Sequence, residues 1–482
     1  MRKRSIKLAA IPMALALVAG ACGSDSEDAD SGDATDESTD DGGETDDGGD
    51  TADGGDAPEG DGEGLAGGYD AVDFFYLPPV GDEFGSPLLT AGTFAAAFSN
   101  DDETMQALEY LASPEYVTTR LNSGGAGFLS ANSQVDVSEY PTPIDRAQVE
   151  ILQSADVARF DGSDLMPGAV GAGTFWEAIV QITAEEATVA EAFADVQTSF
   201  AEIDQGSPAT DCPAPDAGEA DGVVNIFGPE TEAELDAFRA SMVPFTEATG
   251  IEVEIAGDQG FSEQIGVQVE GGSAPDIAIF PQPGRVVDFA RNCDLVPLAD
   301  NVVSAIEANF GGFADLGSVD GVLYGVPNKT DVKSLVWYAP GAFEEQGYSV
   351  PTTHDELVAL MDQAVADGVS PLCIGIGSDA STGWPGTDWT EDYMLRLKGP
   401  EFYDQWVNNE IAFDDPEVIE VGEFWFDIWS NPDYVFGGLQ NIGATSFRDQ
   451  GQPLVDGNCL LHRQANFFAN FFPDGVPVGP AS

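Results

Sequence analysis

Apolar and polar positions follow two periods along this chain, and the switches between them outline its elements. From Tyr69 the run AVDFFYLPP reads as a short strand, followed by a loop. A stretch from Asp102 to Thr119 then carries Met105, Leu108 and Leu111 at helical spacing. A second helix is expected over about Pro143 to Ser154. After the loop RFDGSDLMPGAV, a long helical pattern runs from about Gly173 to Ile203, with Phe175 and Trp176 near its start. Residues 204–222, DQGSPATDCPAPDAGEADG, break all periodicity and predict a linker. At Val223 the pattern restarts. VVNIFGP reads as a buried strand, TEAELDAFRASMVPFTEATG as an amphipathic helix and IEVEIAG as a strand, which makes a β-α-β opening. SEQIGVQVEGG and APDIAIFPQPG repeat the helix and the strand. The alternation predicts an α/β fold.

The stretch from Pro371 to Leu397, PLCIGIGSDASTGWPGTDWTEDYMLRL, offers candidate chemistry. Trp384 and Trp389 lie on a Gly/Pro/Thr/Asp turn, ahead of a helix expected to begin at Thr390 and Glu391. Flat rings beside Asp388 suit a ligand with an apolar face and a hydroxylated edge, as a sugar has. Core packing beneath a loop is the ordinary alternative.

Charge narrows the partners. The 482 residues carry 16 Lys+Arg against 86 Asp+Glu, a formal net charge of −70, which disfavours nucleic acid, anionic membrane surfaces and phosphate-rich ligands. With 43% apolar residues, the length suffices for two or three domains. Arg2, Lys3, Arg4 and Lys7 precede an apolar run from Leu8 to Val18 that is too short to span a membrane comfortably. Ala19, Gly20 and Ala21 then lead to Cys22. Residues 1–22 thus resemble a bacterial lipoprotein signal with Cys22 as the lipidated residue, although Ala19 stands where Leu is more usual. Release as a soluble secreted form is the alternative. Residues 23–65 are almost entirely Asp, Glu, Gly, Ser and Thr, a composition that cannot offset its ordering entropy, and read as an acidic disordered tether. About forty such residues reach roughly 35 Å as a flexible coil.

Cys212, Cys293, Cys373 and Cys459 remain, an even number in an export context. Four cysteines allow three pairings; Cys373 with Cys459 and Cys212 with Cys293 is the one favoured. No CxxC pair occurs, and His354 and His462 lie far apart in sequence, so neither a metal site nor any cofactor is expected. The chain also lacks a GxSxG elbow and a P-loop. A glycoside hydrolase would need a carboxylate pair such as Asp161 with Asp164 or Asp388 with Glu391, and among so many acids close pairs arise by chance.

From Val223 to Ser482 the sequence resembles the extracellular solute-binding proteins of carbohydrate ABC importers, near the α-glucoside and maltose-binding types. The segments that carry the likeness are GGSAPDIAIFPQPG, VDGVLYGVPNK, WYAPGAFEEQGYSVPTTHDEL, PLCIGIGSDASTGWPGTDWTED and CLLHRQANFFANFFP. Asp70 to about Phe200 resembles the same family through DFFYLPPV, LMPGAVGAGTFW and the helix that follows, but that block belongs at the family's C-terminal end. The order is therefore rotated. Residues 66–203 form the family's C-terminal block and 223–482 its N-terminal block, joined by a permutation linker, 204–222.

The resemblance implies a two-lobed, periplasmic-binding-protein-like α/β fold of type II, hinged and circularly permuted. One lobe is expected to hold 223 to about 331, 455–482 and 66–100, the other about 332–454 and 101–203. The helix near Phe468 and the strand at Phe74 are expected to meet within the first lobe. Ligand is expected between the lobes, with Trp384, Trp389 and Trp176 as sugar-facing rings and Gln282, Lys329, Asp331, Asp388 and Gln464 as the polar set. The implied role is not enzymatic: capture of an α-glucoside or related oligosaccharide by a lipid-anchored, extracytoplasmic monomer that delivers it to permease subunits and their ATPase. A secreted glycoside-processing enzyme or a carbohydrate-binding adhesion lipoprotein is the alternative.

Overall fold

The computed structural model describes residues 65–124, 127–203, 212–213 and 220–479. The signal segment, Cys22, nearly all of the tether and most of the 204–222 linker lie outside the described residues. Gly60–Ser482 form one compact unit.

In chain order its strands are β1 (Asp73–Tyr76), β2 (Pro87–Ala97), β3 (Val157–Phe160), β4 (Val223–Gly228), β5 (Glu252–Gly257) and β6 (Ile277–Phe280). They continue with β7 (Ser318–Val319), β8 (Val322–Leu323), β9 (Gly325–Val332), β10 (Leu335–Tyr338), β11 (Ser370–Leu372) and β12 (Cys459–Arg463). The larger sheet runs β3-β2-β6-β4-β5, with β9 also paired to β2. The second runs β1-β10-β12-β11, and β7-β8 make a small ribbon.

The β-α-β opening forms as the pattern predicts. β4 pairs in parallel with β5 and β6, and helix Glu232–Thr249 connects β4 to β5. That helix tolerates Pro244 in its interior and ends at Gly250, whose φ of 79° provides a left-handed cap. All eleven residues of β2 are buried, in keeping with its apolar sequence PLLTAGTFAAA. Both early helical stretches are broken where the sequence supplies a cap. Asp102–Leu111 stops ahead of Pro114–Asn122, whose N-cap Ser113 accepts from Tyr116 N. The Gly173–Ile203 pattern divides into a π-helical turn at Val170–Phe175, helix Trp176–Thr183 and helix Val189–Glu202, the last opened by a Thr188/Glu191 capping box.

The expected division into lobes needs correction. Of residues 66–100, β2 belongs to the larger sheet but β1 forms the edge of the second, paired antiparallel to β10 from Asp73↔Tyr338 to Tyr76↔Leu335. β12 also lies in the second sheet, between β10 and β11. Helix Asp102–Leu111 packs on helix Asp300–Asn309 and on β4, and β3 pairs with β2, so the first part of 101–203 sides with the larger sheet. From Gly162 onward the block turns to the second lobe: helix Gly162–Leu165 packs on Pro400–Val407, and Trp176–Thr183 and Val189–Glu202 pack against helices there. The chain crosses between sheets more often than contiguous blocks allow. Phe74 and Phe468 do converge, but in the second lobe: both rings contact Trp337, at 5.6 and 6.4 Å. Beside them Val72 bridges Val478, and Gly479 N donates to Val72 O at 2.9 Å. The disulfides are Cys212–Cys293 and Cys373–Cys459; the second joins β12 to the residue following β11.

Candidate functional site

A cavity of about 170 Å³ opens between the two sheets. The larger-sheet side supplies Pro229 and Glu230 after β4, Pro281 and Gln282 after β6, and Lys329 and Asp331 of β9. The opposite wall carries Trp176, Trp384, Phe447, Arg448, Phe467 and Phe471. Strand ends in an open α/β sheet present loops and helix starts toward such a crevice.

Five of the eight expected ligand residues meet there: Trp176, Trp384, Gln282, Lys329 and Asp331. Trp389, Asp388 and Gln464 do not. The helix expected from Thr390 instead begins at Trp384, with Pro385 in its first turn. Five residues of α-helix turn about 500°, so Trp389 points some 140° away from Trp384. It is buried in the second lobe, 5.4 Å from the Trp429 ring and 6.0 Å from Tyr393. Asp388 shares Trp384's face but lies a turn deeper, fully buried, and accepts from Lys333 Nζ at 2.8 Å and Arg463 Nη1 at 3.2 Å. Gln464 is buried beyond β12, its Oε1 accepting from Ala465 N at 2.8 Å.

Behind the cavity is a network of buried charges. The helix from Trp384 to Leu397 turns Asp388, Glu391, Asp392 and Arg396 inward. Glu391 has no cation bonded to it and instead accepts from Gly162 N at 2.9 Å and Ser163 N at 3.0 Å. Burial, reinforced by Asp161 and Asp388, pushes its carboxyl well above the ordinary range. Asp161, Asp388 and Glu391 bring carboxylate oxygens within 4.8 Å of one another, close enough to hold a cation. That role is already filled by the Lys333 ammonium, bonded to Asp161 and Asp388. Asp164, on the cavity wall, is pushed well above the usual carboxylate range by burial and then by Asp161.

On the other side Lys329 serves three acids. It lies 3.4 Å from Glu234 and 3.9 Å from Asp331, and its charge also favours ionised Glu230. Burial outweighs that attraction, and the Glu230 carboxyl is pushed up to about 7. Three polar atoms of wall residues are buried without a hydrogen-bond partner: Trp176 Nε1, Arg448 Nε and Asp331 Oδ1. Two can donate and one can accept. Unsatisfied buried polar groups are costly in an apolar setting, and these three belong to cavity residues, while others such as Trp406 Nε1 and His462 Nε2 lie away from it.

Glu230 and Arg448 were missed as site residues, and Asp164 figured only as half of a hydrolase pair. Phe467 and Phe471 lie in the aromatic run NFFANFF, but periodicity does not separate cavity rings from core rings.

The two sheets with their helices, and an aromatic and polar cavity between them, fit a two-lobed α/β fold of type II. Residues 228–445 match the family model described as bacterial extracellular solute-binding protein. The chain is 42% identical over 268 residues to the alpha-glucosides-binding periplasmic protein AglE of Rhizobium meliloti (strain 1021), covering 53% of this chain and 58% of that one. It is also 42% identical over 257 residues to the osmoprotective compounds-binding protein GgtB of Synechocystis sp., covering 52% and 61%. The chain thus spans about three-fifths of the length of these relatives. Among solved structures, the bacterial solute receptor AcbH shares 22% identity at a TM-score of 0.42, over 53% of this chain and 66% of that one.

Proposed function

We propose that this chain is the substrate-binding subunit of an ABC importer, capturing an α-glucoside or related oligosaccharide between its lobes and delivering it to the permease subunits and their ATPase. The observation that carries this reading is the cavity itself. Trp176 and Trp384 offer flat apolar faces, and unpartnered donors and an acceptor stand beside them at Trp176 Nε1, Arg448 Nε and Asp331 Oδ1. A polyhydroxylated ring satisfies both features, because its carbon face stacks while its hydroxyls pair with the orphaned groups. The names of the relatives, one for α-glucosides and one for osmoprotective compounds, favour the same chemistry. Gln282, Lys329 and Asp331 are the polar ligand contacts in this reading. Trp389, Asp388 and Gln464, set back from the cavity, support its walls. Lobe closure on the ligand shifts the hinge population toward the form a permease recognises.

The same proposal includes a monomer anchored through a lipid on Cys22 at the outer face of the membrane, with the acidic segment as tether. It also includes the permuted order. β1 and β2, both from the 66–203 block, complete sheets whose other strands come mostly from the later block, and this supports a single fold written in rotated order. Separate domains in the two blocks would each need a sheet of their own.

The test is a tryptophan-fluorescence titration of the purified protein with maltose, trehalose, sucrose and longer α-glucans, repeated with Trp384→Ala and Trp176→Ala. Saturable binding of one sugar without turnover is expected, weakened at least tenfold by either substitution, since stacking on an aromatic is worth ~1 kcal/mol or more beyond its buried area. A cooperatively folded protein that binds none of these sugars refutes the reading.

A further inference from the structure

Arg448 is the one cationic side chain in the cavity wall whose bonds run across the gap rather than into the carboxylate clusters behind it. Its segment is fixed to the second lobe, where Ser446 bridges Gly377 and Phe447 N donates to Gly377 O at 3.0 Å. From there its guanidinium reaches the larger-sheet lobe. Nη2 donates to Thr231 Oγ1 at 3.1 Å. The Gln259 amide oxygen, turned toward the guanidinium, accepts from Nη1 and Nη2 at 2.7 and 3.2 Å. Glu232 lies 3.8 Å from Nη1. The guanidinium also covers the Phe471 ring at 4.6 Å and the Phe447 ring at 5.5 Å. Glu232 carries a second, independent mark: its φ of 52° is left-handed for a non-glycine residue, a conformation found preferentially at clamps and switches.

We propose that Arg448 is a clasp across the cavity mouth, joining the second lobe to Thr231, Glu232 and Gln259 of the first and setting how long a captured ligand stays. This rests on the cavity being the capture site. A guanidinium suits the role because its planar fork engages several acceptors at once while its face packs on aromatic rings. Its contacts form only when the lobes approach, so they stabilise the closed form without favouring any particular sugar. Apart from any bond its Nε makes to the ligand, Arg448 positions the lobes, and the clasp acts on dissociation rather than on encounter.

The test compares Arg448→Gln, the pair Thr231→Val/Glu232→Gln on the opposite lobe, and their combination. Thr231 and Glu232 do not line the cavity, so a loss at these positions reports the clasp and not a ligand contact. Dyes attached through bioorthogonal residues at the exposed positions Val267 and Phe436, one on each lobe, report lobe separation in the ligand-free protein. Arg448→Gln is expected to widen that separation and to raise the sugar dissociation rate about five- to tenfold, and the opposite-lobe pair about threefold, as loss of hydrogen bonds to a charged group implies. The combined variant should dissociate no faster than Arg448→Gln alone. Unchanged dye separation in both variants, or dissociation effects that multiply, overturns the clasp. The separation is read without ligand, so a protein that binds no sugar refutes the capture reading while the clasp is still decided.

Discussion

Gly383→Ala tests whether the two cavity tryptophans are held by one close backbone contact. Gly383 precedes the helix that starts at Trp384 and has φ 113° and ψ −29°, a region L-residues rarely enter. A Cβ there would lie 2.2 Å from the carbonyl oxygen of Trp176. The substitution therefore costs twice. Backbone strain amounts to about 1–3 kcal/mol, and the contact, which involves main chain rather than a flexible side-chain tip, adds about 1–3 kcal/mol. A total of about 2–6 kcal/mol is expected in urea unfolding followed by tryptophan emission, together with an altered near-ultraviolet dichroism because both neighbouring indoles shift. Gly312→Ala is the control: it has no neighbour within 4 Å and no left-handed φ, and should change stability by less than about 0.5 kcal/mol. If Gly383→Ala unfolds within about 1 kcal/mol of that control, the tight Trp176–Gly383 contact does not exist in solution and the reasoning fails.

Two further perturbations probe the buried charges. Lys333→Met strips the cation from Asp161 and leaves Asp388 with Arg463 alone, and should cost about 3–5 kcal/mol at neutral pH; a loss below about 1 kcal/mol in urea unfolding would mean that solvent reaches the pair. Glu230 has a folded-state pKa near 7 against an ordinary 4.5, so its ionisation opposes folding. Below pH 4.5 both states are protonated; between 4.5 and 7 the unfolded state ionises first and the fold loses up to ~3 kcal/mol, a deficit that persists above 7. Glu230→Gln should therefore stabilise the protein relative to wild type at pH 8 by clearly more than at pH 5. Equal effects at the two pH values count against a buried, protonated Glu230.

The β-α-β start at Val223 was legible because its strands, VVNIFG and EVEIAG, are short apolar or alternating runs and its helix carries a glycine cap. The breaks in the two early helical stretches were also written locally, as Ser113-Pro114 and as the Thr188/Glu191 box, but apolar spacing overrode those signals. The site was half legible. Aromatic residues in a polar stretch pointed to Trp384, yet the helix start decided which indole faces the cavity, and a shift from Thr390 back to Trp384 moved Trp389 into the core. Asp388 read as a ligand contact and Asp388 with Glu391 as one chance pair among many acids, whereas Asp388, Glu391 and Asp392 are all fully buried. Partners far along the chain, Lys333 and Arg463, join the local Arg396–Asp392 pair in making that burial tolerable, and no local pattern records the distant pairings. Phe447 beside Arg448 and the VVNIFGP strand before Glu230 gave no sign of either charge's place in the cavity.

Those distant pairings also bear on the proposed rotated order. Three crossings between the lobes, at Leu77–Pro78, Gly162–Ser163 and Lys333–Ser334, all bond to the helix that begins at Trp384; a further one, from helix Val189–Glu202 to β4, runs through the 204–222 linker. Arg396 donates to Leu77 O at 2.8 Å and Pro78 O at 3.2 Å. Glu391 accepts from Gly162 N and Ser163 N, Asp388 from Lys333, and Asp392 from Ser334 Oγ at 2.6 Å. The hinge is thus specified by convergence on one buried polar helix face and not by the order in which the segments arrive. Two of the three crossings come from the 66–203 block and one from the later block, so neither block contains a complete hinge. Cutting the chain at a surface loop and rejoining its ends leaves every one of these bonds available, provided that the helix and the three crossings remain intact. The same helix presents Trp384 to the cavity at its first turn, and a ligand stacked on that ring is therefore in contact with the element that fixes the lobes' relative setting.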